Sequence, residues 1–303
     1  MNGIAPNGNG RMMMRVAMAA VGVATLLVVM KTIAYIVTDS IAMMASLADS
    51  ALDVATSSVN LLAIRHALTP ADREHRFGHG KAEPLAGLGQ GAFIAGSAAF
   101  LVIEATSRLI APHPIEHPLV GLIVMGLSIG TTVVLVIAQR IVVARTGSIA
   151  VAADRMHYVG DIATNLGVVG GIVAADQFGI LIADPIIGII VAAILTVSAW
   201  HVFRQSYDQL MDRELPETDR DKIKAIVRAN AEVRDVHDLR TRAAGVNQFI
   251  QFHIELDPAI SLVRAHEISD AVELEVCRAF PQADVIIHQD PAGVEQPAAL
   301  AVT

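Results

Sequence analysis

Six long apolar segments fill about the first two thirds of the chain and constrain its fold more than any other feature. They cover residues 14–37, 44–67, 85–110, 119–144, 150–174 and 185–203. A helix crosses the hydrocarbon core of a bilayer with about 20 mostly apolar residues, so each segment is long enough for one crossing. The first segment exceeds the roughly 7 to 15 apolar residues of a cleaved signal peptide, and we expect it to stay in the mature chain. The sequence therefore predicts an all-α membrane domain of six transmembrane helices.

The density of charged residues rises sharply near residue 205. The first 205 residues hold 24 charged side chains with no net charge, and the last 98 hold 28, which supply the whole net charge of −8. An apolar body followed by an acidic, water-soluble part indicates two domains. We expect a flexible N-terminal segment at 1–13, the transmembrane domain at 14–205, a soluble domain at 206–291 and a flexible C-terminal tail at 292–303. The acidic balance argues against a nucleic-acid partner, and the single cysteine, Cys277, excludes an intrachain disulfide.

Lys and Arg residues flank alternate ends of the apolar segments and so predict the orientation. They lie before the first segment, between the second and third, between the fourth and fifth, and after the sixth, whereas the loops at 38–40, 111–118 and 175–184 contain none. Short loops that carry basic residues stay in the cytoplasm. Both termini, the soluble domain and a reduced Cys277 should therefore be cytoplasmic. We expect Lys31, inside the first segment, to snorkel or pair, and His113 and His117, in an external loop, to be solvated.

The soluble part has the hydrophobic periodicity of a small α+β domain. The pattern predicts a helix at 217–230, strands at 233–242 and 246–256, a helix at 262–280 and a strand at 284–288. The clearest strand signal is the alternation of Ile250, Phe252 and Ile254 with polar residues. An αββαβ order with its helices on one face favours an open sandwich.

Four ionisable residues inside the apolar segments are candidate metal ligands. Asp49 and Asp53 are four residues apart in the second segment, and His157 and Asp161 repeat that spacing in the fifth, so each pair shares a helix face. Carboxylates and an imidazole from two helices suit a tetrahedral zinc site. Three carboxylates around a dication leave about one negative charge, so protons should compete with the metal. Alternatively, each pair satisfies hydroxyl or backbone groups within the bundle, or Asp49 lies near an interface. Asp154 lies near the cytoplasmic end of the fifth segment, one turn before His157, and we expect it to be solvated and not a ligand.

Several short motifs resemble one known family. They are the run from Asp49 to Asp53, the run from His157 to Asp161, the loop from Asp72 to Glu83, and the stretches at 210–213, 237–242 and 288–291. Together and in this order they resemble the cation diffusion facilitator family, and within it the bacterial zinc and iron efflux transporters. The resemblance runs from the first apolar segment to about Pro291.

The resemblance implies a homodimer in the inner membrane, each subunit having six helices and a cytoplasmic, metallochaperone-like domain that binds metal and dimerises. It implies that the protein is a secondary active transporter, which exchanges cytoplasmic divalent metal for external protons by alternating access, and that it is not an enzyme. Zinc is the first candidate, as transported ion and as regulatory or structural ligand. Cadmium, ferrous iron and manganese also suit an oxygen-rich site.

The resemblance also assigns residues to sites. It implies a transport site at Asp49, Asp53, His157 and Asp161; a loop metal site at Asp72, His75 and His79; a cytoplasmic metal site at His237, His253, His266, His288 and Asp290; and a dimer interlock between Lys81 and Asp212. From the residues alone, a glycine-rich basic loop can instead hold solvated histidines, and a lone histidine on a strand is usually structural.

Two other functions fit the same ligands. A membrane metal sensor or scaffold would bind metal without moving it. A membrane metalloenzyme would use the metal to activate water, but His266 and Glu267 are followed by Ile268, Ser269 and Asp270, which is not the usual HExxH motif.

Overall fold

The computed structural model describes residues 8–38, 41–110, 118–178 and 182–294 of the chain. The chain divides into two compact units between Tyr207 and Asp208, two residues after the expected limit. Helix α1 already begins at Gly8, so part of the segment expected to be flexible is helical. Residues 1–7 and 295–303 of the predicted flexible ends lie outside the described residues, and so do His113 and His117.

The first unit consists of long helices, and each predicted apolar segment lies within one of them. The helices are α1 Gly8–Thr38, α2 Ile41–Ala67, α3 Ala82–Ile110, α4 Pro118–Thr146, α5 Ile149–Phe178 and α6 Ala183–Leu210. Among the described residues, all of these except α5 are long and apolar enough to cross a membrane. The first half of α5 carries Asp154, Arg155 and Asp161. The prediction of a helical transmembrane region is confirmed.

Much of the surface of this unit is apolar. Large side chains such as Ile36, Phe100 and Val134 are between 68% and 73% exposed in the single chain. Inside the unit, a core that includes Ile94, Ala153 and Leu195 joins α3, α5 and α6. A soluble protein rarely exposes so much apolar surface, whereas the outward faces of membrane helices contact lipid.

The second unit has the predicted αββαβ order. It contains α7 Glu217–Arg228, β1 Asp235–Ala244, β2 Asn247–Leu256, α8 Leu262–Ala279 and β3 Ala283–Pro291. The sheet order is β1-β2-β3, with β1 antiparallel and β3 parallel to β2. The fold class of the soluble domain is confirmed, and β3 is longer than predicted because it pairs with β2 as far as Pro291.

The strand alternation separates an apolar face of this sheet from a polar one. Ile250, Phe252 and Ile254 are at most 1% exposed and share one core with buried residues of α7 and α8, among them Ile223 and Val272. Because side chains alternate between the faces of a strand, the polar residues of β2 lie on the opposite face. That polar face carries three histidines of the predicted cytoplasmic site, His237, His253 and His288.

Candidate metal-binding sites

The predicted transport site joins α2 to α5 inside the first unit. Nε2 of His157 lies 2.9 Å from Oδ1 of Asp53, and both side chains are 5% exposed. The same nitrogen is 3.7 Å from Oδ2 of Asp161, one helical turn further along α5. The ring of Phe93 packs edge-on against the imidazole at 5.4 Å between ring centroids. These three ionisable residues offer ligand atoms within 4.8 Å of one another, which is close enough to hold one metal ion.

Asp161 also has a carboxylate oxygen that takes part in no hydrogen bond with the described residues. This atom, Oδ2, is buried. Asp49 differs from the other three predicted ligands, because its side chain is exposed and it is not part of the close group. It lies on the same face of α2 as Asp53, about 6 Å along the axis. The structure therefore brings together three of the four predicted ligands.

Lys31 is paired inside the unit. Its side chain is 6% exposed, and its Nζ donates to Oγ of Ser50 at 2.7 Å and to the carbonyl oxygen of Ser46 at 3.2 Å. Both acceptors belong to α2, in the turns around Asp49. Of the two alternatives expected from the sequence, the structure shows pairing, and these hydrogen bonds join α1 to α2.

Asp154 is buried, contrary to the expectation that it is solvated. Its carboxyl group is surrounded by α2, α4 and α5 and is 1% exposed. Oδ2 accepts a hydrogen bond from Nε2 of Gln139 at 2.7 Å, and Oδ1 lies 3.3 Å from Oγ of Ser57. The position of Asp154 near the start of α5 predicted that its side chain is exposed to solvent, but the neighbouring helices cover this turn. The partners lie on other helices, so the sequence gives no signal for them.

The predicted loop site lies between α2 and α3. Nδ1 of His75 and Nε2 of His79 are each 3.4 Å from a carboxylate oxygen of Asp72, and the three residues form a second possible ligand group. Hydrogen bonds that Asp72 accepts from the backbone N–H groups of His75, at 2.6 Å, and Glu74, at 2.9 Å, hold the pKa of this carboxyl below its usual value. Asp72 is therefore an ionised carboxylate at neutral pH.

His66 also lies at this loop, although its position in the sequence does not mark it as a ligand. Its ring, in the last turn of α2, is 4.6 Å from the ring of His79 between centroids. The rings of His75 and His79 are 4.5 Å apart, so three imidazoles lie together beside Asp72. The sequence separation between His66 and His79 hides this proximity, since it depends on the path of the loop.

The predicted cytoplasmic site lies on the polar face of the sheet. His237, His253 and His288 are direct neighbours across the three strands. Asp290 reaches all three: its Oδ2 is 2.8 Å from Nδ1 of His253 and 3.3 Å from Nε2 of His237, and its Oδ1 is 3.3 Å from Nε2 of His288. His266 lies instead on an exposed part of α8, where its Nδ1 is 3.5 Å from Asp270. The structure thus brings together four of the five predicted ligands.

Two further carboxylates border this cluster. An irregularity of β1 between His237 and Arg240 places Oδ2 of Asp238 3.7 Å from Nε2 of His253. Asp238 has a φ of 46°, a left-handed conformation that Asp tolerates better than most residues. Oε1 of Glu255 lies 3.8 Å from Nδ1 of His237. The strand alternation of Glu255 could have indicated its position, whereas nothing in the sequence signals the irregularity at Asp238.

The two residues of the predicted dimer interlock belong to different units. Lys81 lies in the turn that precedes α3, and Asp212 follows α6. Oδ1 of Asp212 accepts from Nη1 of Arg242, at 3.3 Å, within the second unit. The roles of these residues, like those of the metal ligands, stay predictions.

Both units match known protein families. Residues 17–211 match the family described as "Cation efflux transmembrane domain", and residues 215–292 match "Cation efflux protein, cytoplasmic domain". The "Cation-efflux pump FieF" of Cronobacter sakazakii is 44% identical over 285 residues, which cover 94% of this chain and 95% of that protein. The protein of the same name from Shewanella oneidensis is 44% identical, over 91% of this chain and 93% of its own length.

Part of the chain also matches solved structures. One is described as "Mode of Action of a Putative Zinc Transporter CzrB"; it is 32% identical, covers 26% of this chain and 99% of its own, and has a TM-score of 0.26. The fold and the matched families together define a multi-pass membrane transporter of cations. The chain belongs to the cation efflux family, the cation diffusion facilitators, and is a cation-efflux transporter.

Proposed function

We propose that this protein exports divalent metal, zinc first among the candidates, in exchange for protons by alternating access. The observation that carries the proposal is the convergence of Asp53, His157 and Asp161 inside the membrane unit, where a buried carboxylate oxygen of Asp161 accepts no hydrogen bond from the described residues. Imidazole nitrogen and carboxylate oxygen are ligands that zinc accepts. Ferrous iron, cadmium and manganese also accept these ligands, because ligand type narrows the identity of the metal only loosely. Asp49 would supply the fourth ligand by turning its side chain toward Asp53.

The contact between His157 and Asp53 explains how protons compete with the metal. At 2.9 Å, the Nε2 nitrogen and the carboxylate oxygen share a hydrogen bond, in which Nε2–H donates to Oδ1. A metal-bound imidazole nitrogen must give up its proton. Zinc therefore takes the place of this proton, and a proton that returns to Nε2 helps to expel zinc. Exposure of the site alternately to the two sides of the membrane would convert this competition into antiport.

The two groups of possible metal ligands outside the membrane-spanning helices would have supporting roles. We propose that zinc at His237, His253, His288 and Asp290 draws two cytoplasmic domains together and favours one state of the transporter, as a regulatory ligand must. The loop group of Asp72, His75 and His79 would hold a further ion. His266, on an exposed part of α8, would contribute a further ligand where two subunits meet.

We propose further that the protein is a homodimer in the inner membrane with both termini in the cytoplasm. Lys81 of one subunit and Asp212 of the other would form an ion pair near the membrane surface. The charge swap tests the pair: Lys81→Asp and Asp212→Lys should each weaken the dimer, and the double variant should restore it. Because Cys277 is the only cysteine, a membrane-impermeant thiol reagent should label it only after cells are opened.

Zinc flux into proteoliposomes with an imposed pH gradient tests the transport proposal. Wild type should admit zinc while protons leave, and Asp53→Asn should abolish both movements. Asp221→Asn, which removes an exposed carboxylate of α7, is the matched control and should behave like wild type. If wild type bound zinc but its flux equalled that of empty liposomes, a non-transporting sensor or scaffold would replace the transporter.

A further inference from the structure

The outward side of α6 carries three stacked aromatic rings near the end that leads into the second unit. The ring of Trp200 stacks on that of Phe203, at 6.0 Å between centroids and 17° between planes. Phe203 stacks in the same way on Tyr207, at 6.2 Å and 12°. The three residues, which we call the aromatic row, are between 43% and 61% exposed in the single chain. Adjoining large exposed rings mark a contact surface.

The other side of α6 fixes the direction in which the aromatic row points. Ala199 and Val202 are both 5% exposed and belong to the core that joins α3, α5 and α6. They pack on α3 at Gly91, where an added Cβ would lie 3.5 Å from each of them. The row therefore points away from this packed side, toward whatever surrounds the membrane unit.

The position of the row along α6 matches the surface of a bilayer. The helix begins at Ala183, so Trp200 lies about 25 Å and Arg204 about 30 Å along its axis. The hydrocarbon core of a bilayer is about 30 Å thick. Exposed residues that precede the row, such as Ile194 and Val197, are aliphatic. The outward side of α6 thus changes from aliphatic to aromatic and basic, as half a bilayer changes from hydrocarbon to headgroups.

Arg204 adds a positive charge to the aromatic row. It lies one turn after Trp200 and one turn before Tyr207, so it shares their face of the helix. Its side chain is exposed and forms no ion pair with the residues that the structure describes. Asp208, four residues further on, pairs instead with Arg213. The charge of Arg204 is therefore available to an anion at the membrane surface.

This charge favours a lipid over a second copy of the chain as the occupant. A symmetric contact centred on the row would bring the Arg204 side chains of two copies together. The acid that follows on the same helix, Asp208, is already held by Arg213 and would not compensate them. An anionic headgroup supplies the compensating charge, and its acyl chains suit the aliphatic residues that precede the row.

We propose that the aromatic row and Arg204 form a binding site for an anionic phospholipid. The guanidinium can bind two oxygens of one phosphate group through parallel N–H groups. Nε1–H of Trp200 and the hydroxyl of Tyr207 can donate to the oxygens beside it, while their rings stay in contact with the acyl chains. The bound lipid holds α6 at a fixed depth where the helix leaves the bilayer. The site is separate from every proposed metal ligand.

The fluorescence of Trp200 tests the site directly, because the chain contains no other tryptophan. The full-length protein is placed in vesicles of phosphatidylcholine with a minor share of anionic phosphatidylglycerol. Bromine atoms, which quench tryptophan on contact, are carried either by the phosphatidylglycerol or by an equal amount of the phosphatidylcholine. The anionic lipid should quench as though it were enriched about fivefold around Trp200. Equal quenching would overturn the proposal, and quenching by neither lipid would show that protein covers the row.

Arg204→Gln separates the charge from the aromatic contact. It should abolish the preference for anionic lipid and leave Trp200 in contact with lipid, so that both brominated lipids quench it equally. Arg140→Gln, which removes an exposed arginine of α4, is the matched control and should keep the preference. Loss of the preference in both variants would assign it to the general charge of the membrane unit and would contradict a site at Arg204.

Two measurements on wild type keep the proposal testable if a variant fails to fold. Salt screens charges, so high salt should weaken the preference for phosphatidylglycerol, and a preference that salt leaves unchanged would contradict a role of Arg204. Bromine atoms near the headgroup end of the acyl chains should quench Trp200 more strongly than those near the methyl end. The opposite order would place the row inside the hydrocarbon core and overturn the proposal. Neither measurement depends on the proposed antiport.

Discussion

Asp290 lies diagonally across from His253 on two parallel strands, with Nδ1 of His253 2.8 Å from Oδ2 of Asp290, although 37 residues separate them in sequence. The same carboxylate is 3.3 Å from a ring nitrogen of His237 and 3.3 Å from one of His288. One acid therefore contacts the histidines of all three strands. Its charge and its position make it the centre of the cluster on the polar face of the sheet.

The first prediction concerns this acid. Asp290→Asn should weaken zinc binding to the cytoplasmic cluster about 10- to 100-fold, because it removes a negative ligand that also orients three imidazoles. Zinc affinity should be measured by competition with a chelator on the full chain carrying Asp53→Ala and His75→Ala, which weaken the other sites. Asp257→Asn, at an exposed acid paired with Arg234, is the control and should not change the affinity. An equal loss in both variants would show a nonspecific effect of charge.

The second prediction follows from the backbone at Asp238. Its φ of 46° lies in the left-handed region, which costs most residues with a Cβ about 1 to 2 kcal/mol and costs Asp and Asn less. Asp238→Ala should therefore destabilise the cytoplasmic unit by about 1 kcal/mol, which lowers the midpoint of thermal unfolding of a domain of this size by roughly 4 to 8 °C. Asp238→Asn should remain close to wild type. Equal midpoints for the two variants would show that the left-handed conformation at residue 238 does not disfavour Ala relative to Asn.

The fold was largely predictable because apolar length and alternation are local signals. Each membrane helix contains one apolar segment, and the alternation of Ile250, Phe252 and Ile254 identified the core face of the sheet. The i,i+4 spacings of the proposed transport site were local too, which is why Asp53, His157 and Asp161 could be singled out in the sequence and also form one close group in the structure.

The missed features depend on contacts between distant elements. Asp154 is buried because Gln139 and Ser57 approach it from other helices. His66 meets His79 only through the path of the loop, and Asp238 faces His253 only because β1 is irregular there. None of these contacts has a signature within one helical turn or one strand alternation, so sequence reasoning could not place them.

The third prediction concerns pH and the loop group. Backbone hydrogen bonds lower the pKa of Asp72 below its ordinary value of about 3.9, so its ionised form stabilises the folded loop above that value. This contribution disappears only as the pH falls through the lowered pKa of the folded state. Asp72 is thus ionised at both pH 7 and pH 5.5. Asp72→Asn should weaken zinc binding at the loop by the same factor at these two pH values.

Zinc titrations of the chain carrying Asp53→Ala and Asp290→Asn would measure that factor at the loop. Glu74→Gln, a neighbouring exposed acid that donates only its backbone N–H to Asp72, is the matched control. An effect of Asp72→Asn that faded between pH 7 and pH 5.5 would mean that its carboxyl already takes up protons in this range.

The last prediction uses Cys277, the one thiol of the chain. Burial, followed by the negative charges of Glu273 and Asp284, raises the pKa of this thiol. A raised pKa leaves less of the reactive thiolate at pH 7.4, so maleimide should label Cys277 more slowly than free cysteine. Glu273→Gln removes one of the two charges and should accelerate labelling, whereas Glu275→Gln, on the same helix, should not. Labelling as fast as that of free cysteine, or equal acceleration by both variants, would contradict this account of the thiol.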